Sequence, residues 1–196
     1  MPNNGFEAVK IFIKKIYSNF PIGEDATHIG LVLSGKASPV VLNLTDNKGA
    51  QSVNTKVLST TSPSFEKNAL GKGLIATKEN VFDISARPGG RQVLMVLAAG
   101  KSDDDTKMPS RALRDKGVNI FAVGIGNNVD VNQLRDIVTL PEEEHLTQST
   151  VENLDKLLSP MVQNIRKGRC DQQAHLASYG RLIMTEIGGE TGEISL

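Results

Sequence analysis

Apolar positions recur along this chain at two periods, three to four residues in some stretches and continuous runs in others, and the two take turns. From Gly5 to Phe20, the residues Phe6, Val9, Ile13, Ile16, Tyr17 and Phe20 follow the longer period, with Lys10, Lys14 and Lys15 between them. That is an amphipathic helix, ended by Pro21 and Gly23. Thr27–Ser34 (THIGLVLS) and Pro39–Leu44 are apolar runs joined by a turn at Gly35–Ser38, which predicts an antiparallel hairpin. A short helix is expected at Ala50–Ser59, then a loop at Thr60–Ser64. Lys67–Phe82 predicts a helix with Leu70, Leu74, Ile75 and Val81 on its apolar side. Its Gly71 and Gly73 lower helix propensity but permit close packing against a sheet.

Val93–Leu97 is uninterrupted apolar sequence, as in a strand covered on both faces. Asp103–Lys116 predicts a helix with acidic residues first and Arg111, Arg114 and Lys116 last, an order that complements the helix dipole. Gly117 marks its end. Val118–Gly124 is the next strand, Asp130 the cap of a helix over Val131–Val138, and His145–Thr147 a short edge strand. A last helix covers Thr150–Lys167, where Pro160 predicts a kink or a break after Leu158. Helices alternating with strands make an α/β protein with a Rossmann-like open sheet, mostly parallel, with one antiparallel edge hairpin and helices on both faces. Residues 1–169 then form one domain. Residues 170–196 hold only the brief run Leu182–Met184 before a Gly-rich, acidic end, and are expected to be a tail or linker.

The stretch Val93–Leu97, Gly100-Lys101-Ser102, Asp104-Asp105 and ALRDKGVNIFAVGIG at Ala112–Gly126 resembles the von Willebrand factor type A domain. The likeness extends over Phe6–Phe20, His28–Leu44 and Asn68–Phe82 and weakens after about Cys170. In that family a first strand carrying Asp-x-Ser-x-Ser precedes a Pro-Asn-Asn-Phe-like segment, which Pro2-Asn3-Asn4 and Phe6 match. The resemblance implies that this first, central strand is missing here. Its neighbours would then pair directly or leave their edges open, and the lost hydrogen bonds and burial, at about 0.5–1.5 kcal/mol per bond, would weigh against a typical stability of about 5–15 kcal/mol.

The chain has 196 residues, 39% hydrophobic and 22% charged, with 22 basic against 22 acidic side chains. It fits one soluble globular domain. Balanced charge and the absence of Trp offer nothing to nucleic acid or an anionic membrane, and no apolar run reaches the length of a spanning helix. Met1–Gly5 has neither the basic start nor the apolar core of a signal peptide.

The resemblance implies a divalent metal held by Asp-x-Ser-x-Ser, by a Thr before the third helix and by the Asp of a Thr-Asp-Gly strand tip. The Thr position falls at Asn68 and the Asp position at Ala99, within Ala98-Ala99-Gly100. A hard cation needs carboxylate oxygens, so the expectation is a degenerate site with no metal and no cofactor. Ser102, Asp103, Asp104 and Asp105 read as the acidic first turn of the following helix. Gly124-Ile125-Gly126, Ser34-Gly35-Lys36 and Gly71-Lys72-Gly73 fit neither a dinucleotide fingerprint nor a phosphate loop. His28, His145 and His175 stand beside no obvious nucleophile, so no catalytic residue is assigned. Asn43-Leu44-Thr45 is a glycosylation pattern. Cys170, the sole cysteine, reads as an inert thiol or as half of a disulfide, and the resemblance places its partner before the first strand or in another chain.

Within the family, ARPGG and ALRDKGVNIFAVGIG look most like the matrix members, matrilins and type VI collagen. The resemblance therefore implies a non-enzymatic adhesion module of a secreted matrix glycoprotein. Its implied partners are collagens, other matrix proteins or copies of itself, bound without metal. The alternatives are an intracellular scaffold domain of a multiprotein complex and, on fold analogy only, a dinucleotide oxidoreductase.

Overall fold

A computed structural model describes residues 3–46, 49–62, 68–85, 90–167 and 181–187 of the chain. The amphipathic period at the start gives α1 (Asn3–Tyr17), followed by the hairpin strands β1 (His28–Ser34) and β2 (Val40–Leu42) and by α2 (Ala50–Ser59). Next come α3 (Leu70–Thr77), extended by a π-turn over Lys78–Phe82, then β3 (Gln92–Ala98), α4 (Lys107–Asp115) and β4 (Asn119–Ile125). The chain continues through α5 (Val131–Ile137), the single turn α6 (Glu142–His145), β5 (Leu146–Ser149), α7 (Leu154–Lys167) and β6 (Arg181–Ile187).

The six strands form one sheet in the order β2-β1-β6-β3-β4-β5. Only β1 and β2 are antiparallel; every other pair is parallel. Each face of the sheet carries its own core. On one, Phe12, Ile13, Ile16 and Tyr17 of α1, Val53 and Val57 of α2 and Met161 and Ile165 of α7 pack on Met95, Phe121 and Met184. On the other, Leu70 and Leu74 of α3, Leu113 of α4 and Leu134 of α5 pack on Leu94, Ile120 and Ile183. Burial on both faces explains why β3 and β4 read as unbroken apolar runs.

Two buried polar groups tie helices together. Lys10 lies almost wholly inside and its ammonium donates to the carbonyls of Leu58 (2.9 Å) and Thr60 (2.7 Å), closing the carboxyl end of α2. Tyr17 donates its hydroxyl to Asn54 Oδ1 at 2.7 Å, and burial pushes its pKa up to about 12.

The centre of the sheet departs from the sequence-based expectation. Neither a gap nor a direct β1–β3 pairing is present. Residues 181–187, expected to lie in a tail or linker, form β6 between those strands, pairing one-to-one with His28–Ser34 on one side and with Gln92–Ala98 on the other. The anticipated loss of central hydrogen bonds does not arise. Leu182 and Met184 enter the first core and Ile183 the second. Thr185 is fully buried, and its hydroxyl meets that of Thr77 at 3.3 Å.

Smaller differences have local causes. The last helix runs through Pro160 without a break. The amide missing at Pro160 would have served the carbonyl of Lys156, and both residues are exposed, so water can take that carbonyl. α4 begins at Lys107 rather than at Asp103, because Asp104 is engaged by the amides of α3 and the Asp103 amide by the Asn68 carbonyl. Its end is as expected: Gly117 has φ +81° and its amide donates to Arg114 O at 2.8 Å.

Candidate functional site at the carboxyl end of the sheet

Parallel strands bring β1, β6, β3 and β4 to one end with their carboxyl termini together, the usual place for a site in an open α/β sheet. β3 ends there in Ala98, and Ala99 follows it, half-buried against the first core. The loop from Gly100 to Thr106 then folds over the amino end of α3. The first helical amides of α3 have no local side-chain cap, since the residue before the helix is Ala69. They are satisfied from across the molecule. Ser102 Oγ accepts from the Leu70 amide at 2.8 Å. The Asp104 carboxylate accepts from Gly71 through Oδ1 and from Lys72 through Oδ2, each at 2.8 Å. Ser102 Oγ–H also donates to Asp104 Oδ1 at 2.6 Å.

Asp104 is therefore an N-terminal cap of α3 rather than part of the first turn of α4, which corrects the sequence-based reading. A carboxylate at a helix amino end is favoured by the unpaired amides and the dipole together. Asp105 serves α4 instead, its Oδ1 accepting from the Lys107 amide at 2.9 Å. The loop is fixed from its other side by Gln133, which accepts from the Ser102 amide (2.8 Å) and donates back to the Ser102 carbonyl (3.1 Å). Asp130 caps α5 through the Gln133 amide at 3.1 Å. That bond, ahead of the nearby Lys101 ammonium, holds the Asp130 carboxyl below the usual range.

Glycines make the close approach possible. A Cβ at Gly71 would stand 2.0 Å from the Asp105 carbonyl oxygen, and one at Gly73 would stand 2.0 Å from Ser34 Oγ. Asn68, just before α3, accepts from the Asp103 amide through its backbone carbonyl at 2.8 Å. Its side-chain Oδ1 is buried and has no hydrogen-bond partner; the same is true of Ser34 Oγ at the tip of β1.

The other candidates lie apart. His28 opens β1 and its Nε2 is 3.0 Å from Glu24 O. His145, expected to open the edge strand, instead ends α6 and is buried, with Nδ1 2.8 Å from Pro141 O and its ring 4.5 Å from that of Phe121. Gly126, with φ +81°, turns the chain out of β4. Asn43 is half-buried after β2, and its Nδ2 donates to Asn80 O at 3.0 Å. Cys170 and His175 lie outside the described residues.

The sheet order, the antiparallel hairpin at one edge and the glycine-lined helix against the strand tips match a known domain architecture. The family model described as von Willebrand factor type A domain matches residues 1–163. This chain belongs to that family. Matrilin-1 of Gallus gallus is 30% identical over 164 residues, covering 80% of this chain and 32% of that protein. The collagen alpha-1(XII) chain of Notophthalmus viridescens is 29% identical over 143 residues, covering 72% of this chain and 15% of that one. The chain thus spans a third or less of these matrix relatives. Among solved structures, proximal thread matrix protein 1 of the mussel byssus with a zinc-occupied MIDAS motif aligns with a TM-score of 0.76 at 26% identity, over 83% of this chain and 40% of that one. A manganese-loaded Plasmodium vivax TRAP protein shares the fold, with a TM-score of 0.66 at 14% identity over 80% of this chain and 65% of that one.

Those two structures hold metal, so the same place in this chain must be asked whether it could. A zinc or manganese ion takes about four to six ligands, with carboxylates among them in an oxygen-rich site. The strand tip offers the methyl groups of Ala98 and Ala99. Asp104 Oδ1 already accepts from an amide and a hydroxyl, and Oδ2 from a second amide. Among the described residues, the buried oxygens left without a partner there are neutral, Asn68 Oδ1 and Ser34 Oγ, while Asp103 and Asp105 of the loop are exposed. Among the described residues no three Asp, Glu, His or Cys side chains converge. The described side chains alone do not make up such a ligand set.

Proposed function

We propose that the chain is a non-enzymatic interaction module of a secreted matrix protein, binding collagens, other matrix proteins or copies of itself through surfaces that do not depend on a metal ion. The observation that supports it is the self-contained cap at the strand tips. There, a carboxylate already bound within the chain takes up the helix amides, and Ala99 stands where the family's metal-dependent members carry an Asp ligand. Kinship with matrilin and collagen chains supports the matrix setting, and no described helix is long and apolar enough to cross a membrane.

Solid-phase binding of the chain to collagens and matrix extract, with EDTA or with added Mn²⁺, tests the reading. Retention is expected to stay within about twofold under both conditions, far less than the tenfold that 1.4 kcal/mol represents. Loss of binding in EDTA overturns the metal-free part. Failure to retain any matrix component overturns the adhesion part. Secretion is tested separately, by expressing the tagged full-length transcript and assaying medium against cell lysate.

A further inference from the structure

The strand at the centre of the sheet is held to the rest of the molecule in an unusual way. β6 has no hairpin partner: both of its neighbours are parallel to it, and parallel strands cannot be linked by a tight turn. Its covalent tie on the amino side is the connection 168–180 from the end of α7, thirteen residues that can reach at most about 45 Å when extended. Nothing in its contacts identifies it as belonging to the same copy. The seat between β1 and β3 recognises backbone register on both sides, Leu182 and Met184 on one face and Ile183 and Thr185 on the other. A second copy of this chain carries the same residues on a tether of the same length.

We propose that the β1–β3 seat is a strand-acceptor site that takes residues 181–187 of another copy of this chain, so that two copies exchange their central strands. All contacts of β6 are reproduced in the exchanged pair, which is why swapping is a low-cost route to a dimer. The balance is set by effective concentration. A connection of this length holds its own strand at a local concentration on the order of millimolar, so exchange competes only where chains are comparably concentrated as they fold. Leaving the seat afterwards breaks two backbone ladders at once, so the exchanged form, once made, persists on dilution. This inference specifies how the self-association named above would arise. It is tested without any matrix ligand, so failure to bind collagen leaves it standing, and its own failure leaves collagen binding standing.

The test uses the full chain with Cys170→Ser. Val93 and Leu182 are register partners on the same face, and adjacent strands lie about 4.8 Å apart, within the Cα spacing a disulfide accepts. Val93→Cys and Leu182→Cys are placed on separate chains, mixed in denaturant, refolded at about 10 µM or about 1 mM and oxidised. The expected result is a covalent mixed dimer at least tenfold more abundant at the higher concentration, and dimers in native mass spectra of the cysteine-free chain refolded likewise. A monomer at every concentration overturns the proposal. So does a dimer in which the cross-link never joins the two chains.

Discussion

β3 and β6 lie side by side in register and do the same work with different sequences. β3 reads QVLMVLA within the stretch matched to the family; β6 reads RLIMTEI and lies beyond it. Met95 and Met184 are paired and both fully buried, as are Leu94 and Ile183. The difference shows what a central strand requires. It must fill two cores at a period of two and offer backbone groups on both sides, and its place in the chain is free, because parallel neighbours need a crossover in any case. Nor must every position be apolar. Thr185 sits fully buried because Thr77, whose own hydroxyl donates to Gly73 O at 2.8 Å, meets its oxygen. A buried hydroxyl with a partner costs little where a lone one would cost 1 kcal/mol or more, on the order of a core methylene.

The sharpest way to break the equivalence is to truncate each strand at the same level. Leu94→Ala and Ile183→Ala remove fully buried side chains that are register partners in one core. Each is expected to destabilise the chain by about 2–5 kcal/mol, read as a lower midpoint in urea with an unchanged slope. A silent Ile183→Ala beside a costly Leu94→Ala would show that β6 is not part of the folded body in solution, and would remove the basis for treating the two strands alike.

The same pair explains what could be read from sequence and what could not. α2 was legible to the residue, and the hairpin, β3, β4 and the Asp130 cap lay within a residue or two of expectation, because each is announced by local periodicity and nearby turn residues. β6 has only three consecutive apolar residues, flanked by Arg181 and Thr185-Glu186. What makes it a strand is the seat left by β1 and β3, which no local window contains. The cap on α3 was hidden for a related reason. Asp104 stands just before α4, where an acidic first turn is the ordinary reading, yet it serves amides more than thirty residues earlier in the chain. Asn68 and Ala99 were singled out because a family pattern marks their positions; Ser102 and Asp104 lie in the same family-like stretch, but their role as the cap of α3, and the part of Gln133, emerge only from the fold.

The strand-tip cluster differs from β6 in being held by hydrogen bonds rather than burial, so its loss should cost less. Asp104→Ala leaves the Gly71 and Lys72 amides without their acceptor, while the Ser102 hydroxyl still has the Asn68 carbonyl at 3.3 Å. The expected cost is about 1–2 kcal/mol, with faster amide hydrogen exchange confined to the start of α3. On the metal-free reading, millimolar Mn²⁺ or EDTA should leave the Tm of both proteins unchanged. A rise in the wild-type Tm with Mn²⁺ that Asp104→Ala abolishes would mean that this carboxylate serves a metal, and the metal-free reading would fall.

The smallest expected effect lies at the opposite end of α3, where Asp83 accepts hydrogen bonds from Lys116 and from Lys78 (3.0 Å), tying the π-turn to the end of α4. The Lys116 bond first, then the Lys78 bond, hold its carboxyl below the ordinary value of 3.8. A carboxyl whose folded pKa lies below its unfolded one contributes stability that is fully present above the unfolded value and is lost as pH falls through the folded one. Asp83→Asn is therefore expected to lower stability near neutral pH by at most about 1 kcal/mol, as for other ion pairs at a surface. The gap from wild type should close as acid protonates Asp83. Urea midpoints of the two proteins from pH 7 down to the acid limb measure it. If the gap stays constant across that range, the substitution acts through packing or the helix end rather than through charge, and the two lysines are not what holds this corner.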